Sequence, residues 1–195
     1  MKEPLPLATI HATVLEFLRG REDAAIFGAQ AVNAYVSEPR MTQDVDIVSP
    51  RARGLAAELR QHLARELHVA IRVREVAQGN SFRLFQVRKE GNRHLVDIRA
   101  VDALPSTERY GDLLIVTPVE LIAGKVLCYH HRRGSPKSGT DWRDLAMLLL
   151  AFPALKSFEG PVKVRLQQSE VDPAVLDLWR ELASQQIRAP DEDEY

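Results

Sequence analysis

The stretch "FGAQAVNAYVSEPRMTQDVDIVSP", Phe27 to Pro50, decides how the chain is read. It places two aspartates, Asp44 and Asp46, one residue apart among Val45, Ile47 and Val48. Side chains on a strand alternate faces, so residues two apart point the same way. On a strand, Asp44 and Asp46 project together. Two carboxylates that close repel, and one takes up a proton unless a cation lies between them. A hard divalent ion such as Mg²⁺ resolves the conflict, because it takes carboxylate oxygens and keeps water or phosphate oxygens as its other ligands. The pair therefore reads as a clamp for a phosphate-bearing substrate. An Asp-x-Asp pair also occurs on solvated edge strands, so the neighbours decide between the two.

Three neighbours favour the clamp. Ala24 to Phe27 is a short apolar run ending at Gly28, and Ala29 to Val36 follows as a short helix. A glycine-opened helix presents backbone N–H groups to a phosphate. Arg40 and Thr42 precede the aspartates with the same alternation, and Arg40 is placed to pair with phosphate or with the carboxylates. A later strand, "HLVDIRAVD", carries Asp97 between Val96 and Ile98. If it lies beside the Asp44 strand, a third carboxylate joins the pair. Three carboxylates suit a two-metal site, in which one deprotonates a hydroxyl while the metals hold a triphosphate.

The rest of the chain frames this site. Leu7, Ile10, Val14, Leu15 and Leu18 recur at helical spacing, as do Leu55, Leu59, Leu63 and Leu67. Strands are expected over Val69–Val76, from Phe82, over His94–Val101 and over Leu113–Val116, with a turn at Glu90-Gly91-Asn92. Thr117-Pro118 opens a helix carrying Lys125, "RRGSPKSGT" reads as a polar loop, and Asp141–Phe152 as an apolar helix stopped by Pro153. Asp172-Pro173 begins a last helix, and the tail "DEDEY" is acidic and frayed. The expected architecture is a mixed α/β half over residues 1–116 and a helical half over 117–195.

Composition sets outer bounds. The hydrophobic fraction is 45% and the charged fraction 27%, as in ordinary globular proteins. The formal net charge of −1 provides no global basic field, so any nucleic-acid contact must come from a local patch. The single cysteine, Cys128, excludes an internal disulfide and reads as a packed thiol in a reducing compartment. No apolar run is long enough to span a membrane, and the N-terminus lacks a signal-peptide pattern, so a cytoplasmic protein is expected. Adjacent His130 and His131 do not share a helix face, which argues against zinc. "GSPKSGT" lacks the order of a phosphate-binding P-loop. His130, His131, Arg132, Arg133 and Lys137 read either as a solvated helix end or as a surface for RNA phosphates.

These motifs resemble the nucleotidyltransferase superfamily of polymerase-β-like fold. Its signature is a strand, Gly-Gly or Gly-Ser, a short helix, Asp-x-Asp on the next strand and a third Asp on a later one. Gly28-Ala29, Asp44-Val45-Asp46 and Asp97 match it, with Ala29 departing at the second small residue. "RMTQDVDIV" looks most like the AbiEii-type proteins, toxins of type IV toxin–antitoxin systems. Those also carry a helical lysine, matched by Lys125, and a basic-acidic motif matched by Asp141, Arg143 and Asp144 in "DWRDLAMLLL". The resemblance runs from Phe27 to Leu150. It implies a mixed-sheet nucleotidyltransferase core with a helical C-terminal region, moving a nucleoside monophosphate from an NTP to an acceptor. By resemblance, Asp44 and Asp46 bind two Mg²⁺ ions, and Asp97 shares one and acts as, or helps, the general base. Gly28, Ala29, Arg40 and Thr42 contact the nucleotide, and Lys125 steadies its triphosphate. Asp144 holds Lys125 or Arg143 in place or contacts the acceptor. tRNA is among the implied acceptors and a cognate antitoxin is the implied partner. A small-molecule, antibiotic-modifying nucleotidyltransferase and a catalytically silent binding module share the same core motifs.

Overall fold

The computed structural model describes residues 5–189. The "DEDEY" tail lies outside them. The chain divides into two compact units, one comprising residues up to 31 and 40–116, the other residues 32–39 and from 117 on.

The first unit is built on one mixed seven-stranded sheet. Its strands are β1 (Ala25–Phe27), β2 (Val45–Ser49), β3 (Ile71–Val76), β4 (Ser81–Gln86), β5 (Arg93–Ala100), β6 (Thr107–Tyr110) and β7 (Leu113–Val116). Their spatial order is β3-β4-β5-β2-β1-β7-β6. β2 runs parallel to β5 and β1 parallel to β7, while every other neighbour is antiparallel. Val45 and Ile47 on β2, Leu84 on β4 and Val96 and Ile98 on β5 are fully buried on one face. Helix α3 (Ala52–Leu67) covers that face with Leu55, Leu59 and Leu63, and α1 (Leu7–Leu18) packs on α3 through Ile10, Val14 and Leu18. The four-residue step of the leucines puts them on one helix stripe, and each burial contributes about 1.5–3 kcal/mol.

The second unit is helical. It contains α4 (Pro118–His131), α5 (Lys137–Ala151), α6 (Pro161–Gln168) and α7 (Pro173–Ser184). α4 is the central element and packs against the other three. Val162 and Leu166, four apart on α6, are fully buried, as is Trp179 on α7. Arg165 of α6 meets Glu120 of α4 at 2.6 Å. Asp172 caps α7 by accepting from the Ala174 N–H at 2.8 Å. Thr117 takes the cap position before Pro118 but makes no side-chain cap bond.

Several expectations are corrected. Asp44 sits in a bend just before β2, so that strand begins at Val45, and Arg40 and Thr42 lie in irregular chain rather than in a strand. The expected loop 132–140 is helical from Lys137, which puts Asp141 and Asp144 beyond the first turn of α5. β6 and α6 are additional elements. Cys128 is half-buried on α4 rather than packed away.

A charged cluster ties β1 to the start of α3. Asp23 receives Arg21 at 2.8 Å and Arg51 at 2.7 Å, both of which also reach Glu58. The Arg21 hydrogen bond leads the forces that hold the Asp23 carboxyl below its usual range. A depressed carboxyl contributes stability above its unfolded pKa and loses it as pH falls through the folded value. The Asp23→Asn variant should therefore be less stable than the parent at neutral pH. The gap should close below the ordinary carboxyl value of 3.8, as read by urea unfolding across a pH series.

Candidate active site

The parallel pairing of β2 with β5 brings Asp46 opposite Asp97 in direct register. Register partners on adjacent strands share a face and lie about 4.8 Å apart across the sheet. Both aspartates face away from α3, because their neighbours Ile47 and Ile98 face it. Each is half-buried.

Gly28 adjoins the pair from the other flank. It follows β1, which pairs antiparallel to β2 with Phe27 opposite Asp46, and it opens α2 (Gly28–Tyr35). Its φ is +66°, and a Cβ there would stand 2.1 Å from Asp46 Oδ2. Both the left-handed backbone and the contact exclude a side chain. Here glycine does more than loosen a turn: it lets a helix N-terminus close on a carboxylate.

Asp97 is held from the β4 side. Ser81 Oγ donates to Oδ1 at 2.7 Å and Arg83 Nε to Oδ2 at 3.1 Å. Asp44 lies 3.1 Å from His94 Nδ1 on β5. The Asp44 hydrogen bond raises the His94 imidazole pKa above its ordinary value, against the opposing effect of burial. His94, Ser81 and Arg83 had no role in the sequence reading. Pairing across strands made them partners, and only the short spacing of His94 to Asp97 hinted at it. Thr42 is buried and donates its hydroxyl to Gln30 Oε1 at 3.2 Å, near the start of α2. Its contact is thus with the helix that Gly28 opens. Arg40 is half-buried and reaches the Met41 carbonyl at 3.3 Å, among other contacts.

The donor chemistry of Asp46 and Asp97 fits a hard divalent ion, since they offer carboxylate oxygens alone. Among the described residues, no three His, Cys, Asp or Glu groups gather into a ready-made cation cage. Asp44, the third expected ligand, is engaged with His94.

The second unit holds a buried ionic group of its own. Lys125 Nζ on α4 lies 2.6 Å from Asp144 Oδ2 and 3.5 Å from Asp141 Oδ1 on α5. The side chains of Lys125, Asp141 and Asp144 are 11%, 4% and 0% exposed, so the lysine does not snorkel to water. Arg132 closes the group on Asp141 at 2.9 Å. Asp144 is thus the first anchor of Lys125, and Asp141 is a second. Arg143 donates to the Glu38 carbonyl at 3.1 Å. Of the basic stretch after α4, Arg132 serves Asp141, and Arg133 lies 3.5 Å from Glu181 and over the Tyr129 ring.

Two substitutions probe these arrangements. Gly28→Ala should cost about 2–5 kcal/mol by combining a left-handed residue with overlap onto Asp46. Lys125→Ala should cost about 3–5 kcal/mol by stranding buried carboxylates. Urea unfolding of each variant measures both.

Known proteins resemble this chain in family and in fold. The family model for "Nucleotidyl transferase AbiEii toxin, Type IV TA system" matches residues 16–193. No curated protein matches the chain. Among solved structures, the chain resembles the Megavirus polyadenylate synthase, with 13% identity and a TM-score of 0.64 over 82% of this chain. It spans only 34% of that longer protein. JHP933 from Helicobacter pylori is similar at 14% identity and a TM-score of 0.55, over 90% of this chain and 87% of that one. The antibiotic-resistance factor ANT(2″)-Ia is similar at 13% identity and a TM-score of 0.55, over 90% and 95%. These likenesses show a shared fold, and the family match goes further. With Gly28 closed on Asp46 and Asp97 set beside it, the chain belongs to the AbiEii nucleotidyltransferase toxin family.

Proposed function

We propose that this nucleotidyltransferase moves a nucleoside monophosphate from an NTP onto a tRNA acceptor, as the toxin of a cytoplasmic toxin–antitoxin pair. The observation that carries the reading is the register of Asp46 with Asp97 beside Gly28. Asp44, Asp46 and Asp97 would hold a pair of Mg²⁺ ions. When bound, such ions offset charge on the triphosphate and lower the pKa of the attacking hydroxyl.

The chain's own residues do the rest. The N–H groups of Gly28 and Ala29 at the head of α2 take phosphate oxygens, and the backbone N–H of Ala29 serves without a hydroxyl there. Arg40 pairs with phosphate. Thr42 acts through Gln30 to position α2. Asp97, oriented by Ser81 and Arg83, accepts the acceptor's proton. A bond forms from acceptor oxygen to the α-phosphorus as the bond to the bridging oxygen breaks, and pyrophosphate leaves with the electron pair. Lys125, the lysine expected to steady the triphosphate, is fixed by Asp144 and Asp141.

The fold shared with ANT(2″)-Ia makes a small-molecule acceptor the second arm of the test. The protein is incubated with each α-labelled NTP, Mg²⁺ and either total tRNA or an aminoglycoside. Label should enter RNA. It should fall at least about 100-fold in Asp46→Asn, equivalent to about 2.7 kcal/mol of transition-state stabilisation. Label on the aminoglycoside alone replaces the RNA reading, and no label with either acceptor overturns transfer.

A further inference from the structure

The face of the sheet that carries Asp46 and Asp97 continues outward over β5, β4 and β3, and there it changes sign. Arg83 on β4 is opposite Asp97, and Arg74 on β3 is opposite Arg83. Arg72 lies two residues from Arg74, and Arg99 two from Asp97, so all four arginines share the carboxylates' face. All four are exposed. The contact of Arg83 with Asp97 and the stacking of Arg99 over the Phe27 ring at 4.9 Å confirm the facing. Arg72 and Arg74 make no salt bridge among the described residues. Phe85, opposite Arg72, stacks with His94 at 5.0 Å between ring centroids, which sets aromatic surface among the cations. The opposite face of these strands is apolar and lies under α3.

We infer that this arginine row on β3, β4 and β5 binds the phosphate backbone of the polynucleotide acceptor. The inference rests on the transfer reading and names the surface that its acceptor uses. The strand order separates the two anionic substrates. Gly28, where the NTP phosphates are proposed to bind, lies on the β1 side of Asp46; Arg72, Arg74 and Arg83 lie on the far side of the proposed base Asp97, and Arg99 alone reaches back to Phe27 on β1. Arg74 is two strands from Asp97, about 10 Å away, beyond what one nucleotide at Gly28 needs. With a net charge of −1 over the whole chain, this concentration of cations is local. The basic stretch after α4 is a weaker candidate, because Arg132 and Arg133 are spent on Asp141 and Glu181.

The test uses the full chain and fluorescently labelled probes, bulk tRNA and single-stranded DNA, titrated over a KCl series. The Arg72→Ala/Arg74→Ala variant should weaken tRNA binding about tenfold at low salt. It should also make the logarithmic salt slope shallower by about one per arginine. Arg72→Lys/Arg74→Lys should keep the slope. A charge-matched control on the far face, Arg60→Ala/Arg65→Ala, should bind as the parent does, and Mg·ATP binding should be unchanged in every variant. A loss on tRNA larger than on DNA supports an RNA acceptor, and equal losses support readout of the backbone alone. Parental binding by the sheet variant, or equal loss in the control, overturns the row. Polynucleotide binding through the row without label transfer refutes the transfer reading only. Label transfer to a small molecule without polynucleotide binding refutes the row and the tRNA acceptor, and leaves nucleotidyl transfer standing.

Discussion

The parallel register of β2 on β5 is the constraint from which the site follows. It sets Asp46 against Asp97, and by alternation it sends Ile47 and Ile98 into the core under α3. A slip of one residue would bury the carboxylates and expose the isoleucines. The apolar face therefore enforces the geometry of the polar one. Burying Val45, Ile47, Val96 and Ile98 stabilises the register that holds two like charges side by side, a juxtaposition the carboxylates would oppose on their own.

That repulsion is met locally by donors. Asp97 takes Ser81 and Arg83, and Asp44 takes His94. Gly28 completes the site by removing a side chain where one would collide with Asp46. The second unit uses the same physics in a drier setting. Lys125, Asp141, Asp144 and Arg132 form an alternating-charge group in which the burial of Lys125, Asp141 and Asp144 is tolerable because opposite charges are present. The two clusters differ in exposure. The sheet carboxylates are part-exposed, as groups that handle a ligand must be, whereas Asp144 has no exposure at all and works by holding Lys125.

Elements with a strong period were legible from residues alone. The leucine ladder of α3, the apolar run of β2 and the Pro-led start of α7 are examples. β6 was not, because "TERY" pairs only with β7 and exposes three of its four residues, leaving no alternation to detect. α6 did carry a signal, Gly160-Pro161 followed by Val162 and Leu166 at a four-residue step. The first turn of α5 is rich in Ser, Gly and Thr, which favour loops by propensity. Tertiary contacts of Asp141 with Lys125 and Arg132 outweigh that preference.

From the sequence alone came the identity of the acidic residues, the glycine that precedes them and the family they resemble, because these are matters of residue type and short spacing. Which strand lies beside which, that His94, Ser81 and Arg83 attend the carboxylates, and that four arginines from three strands form one row are matters of pairing between distant segments. The pairing is selected by burying one face of the whole sheet at once, and no local stretch of chain encodes it.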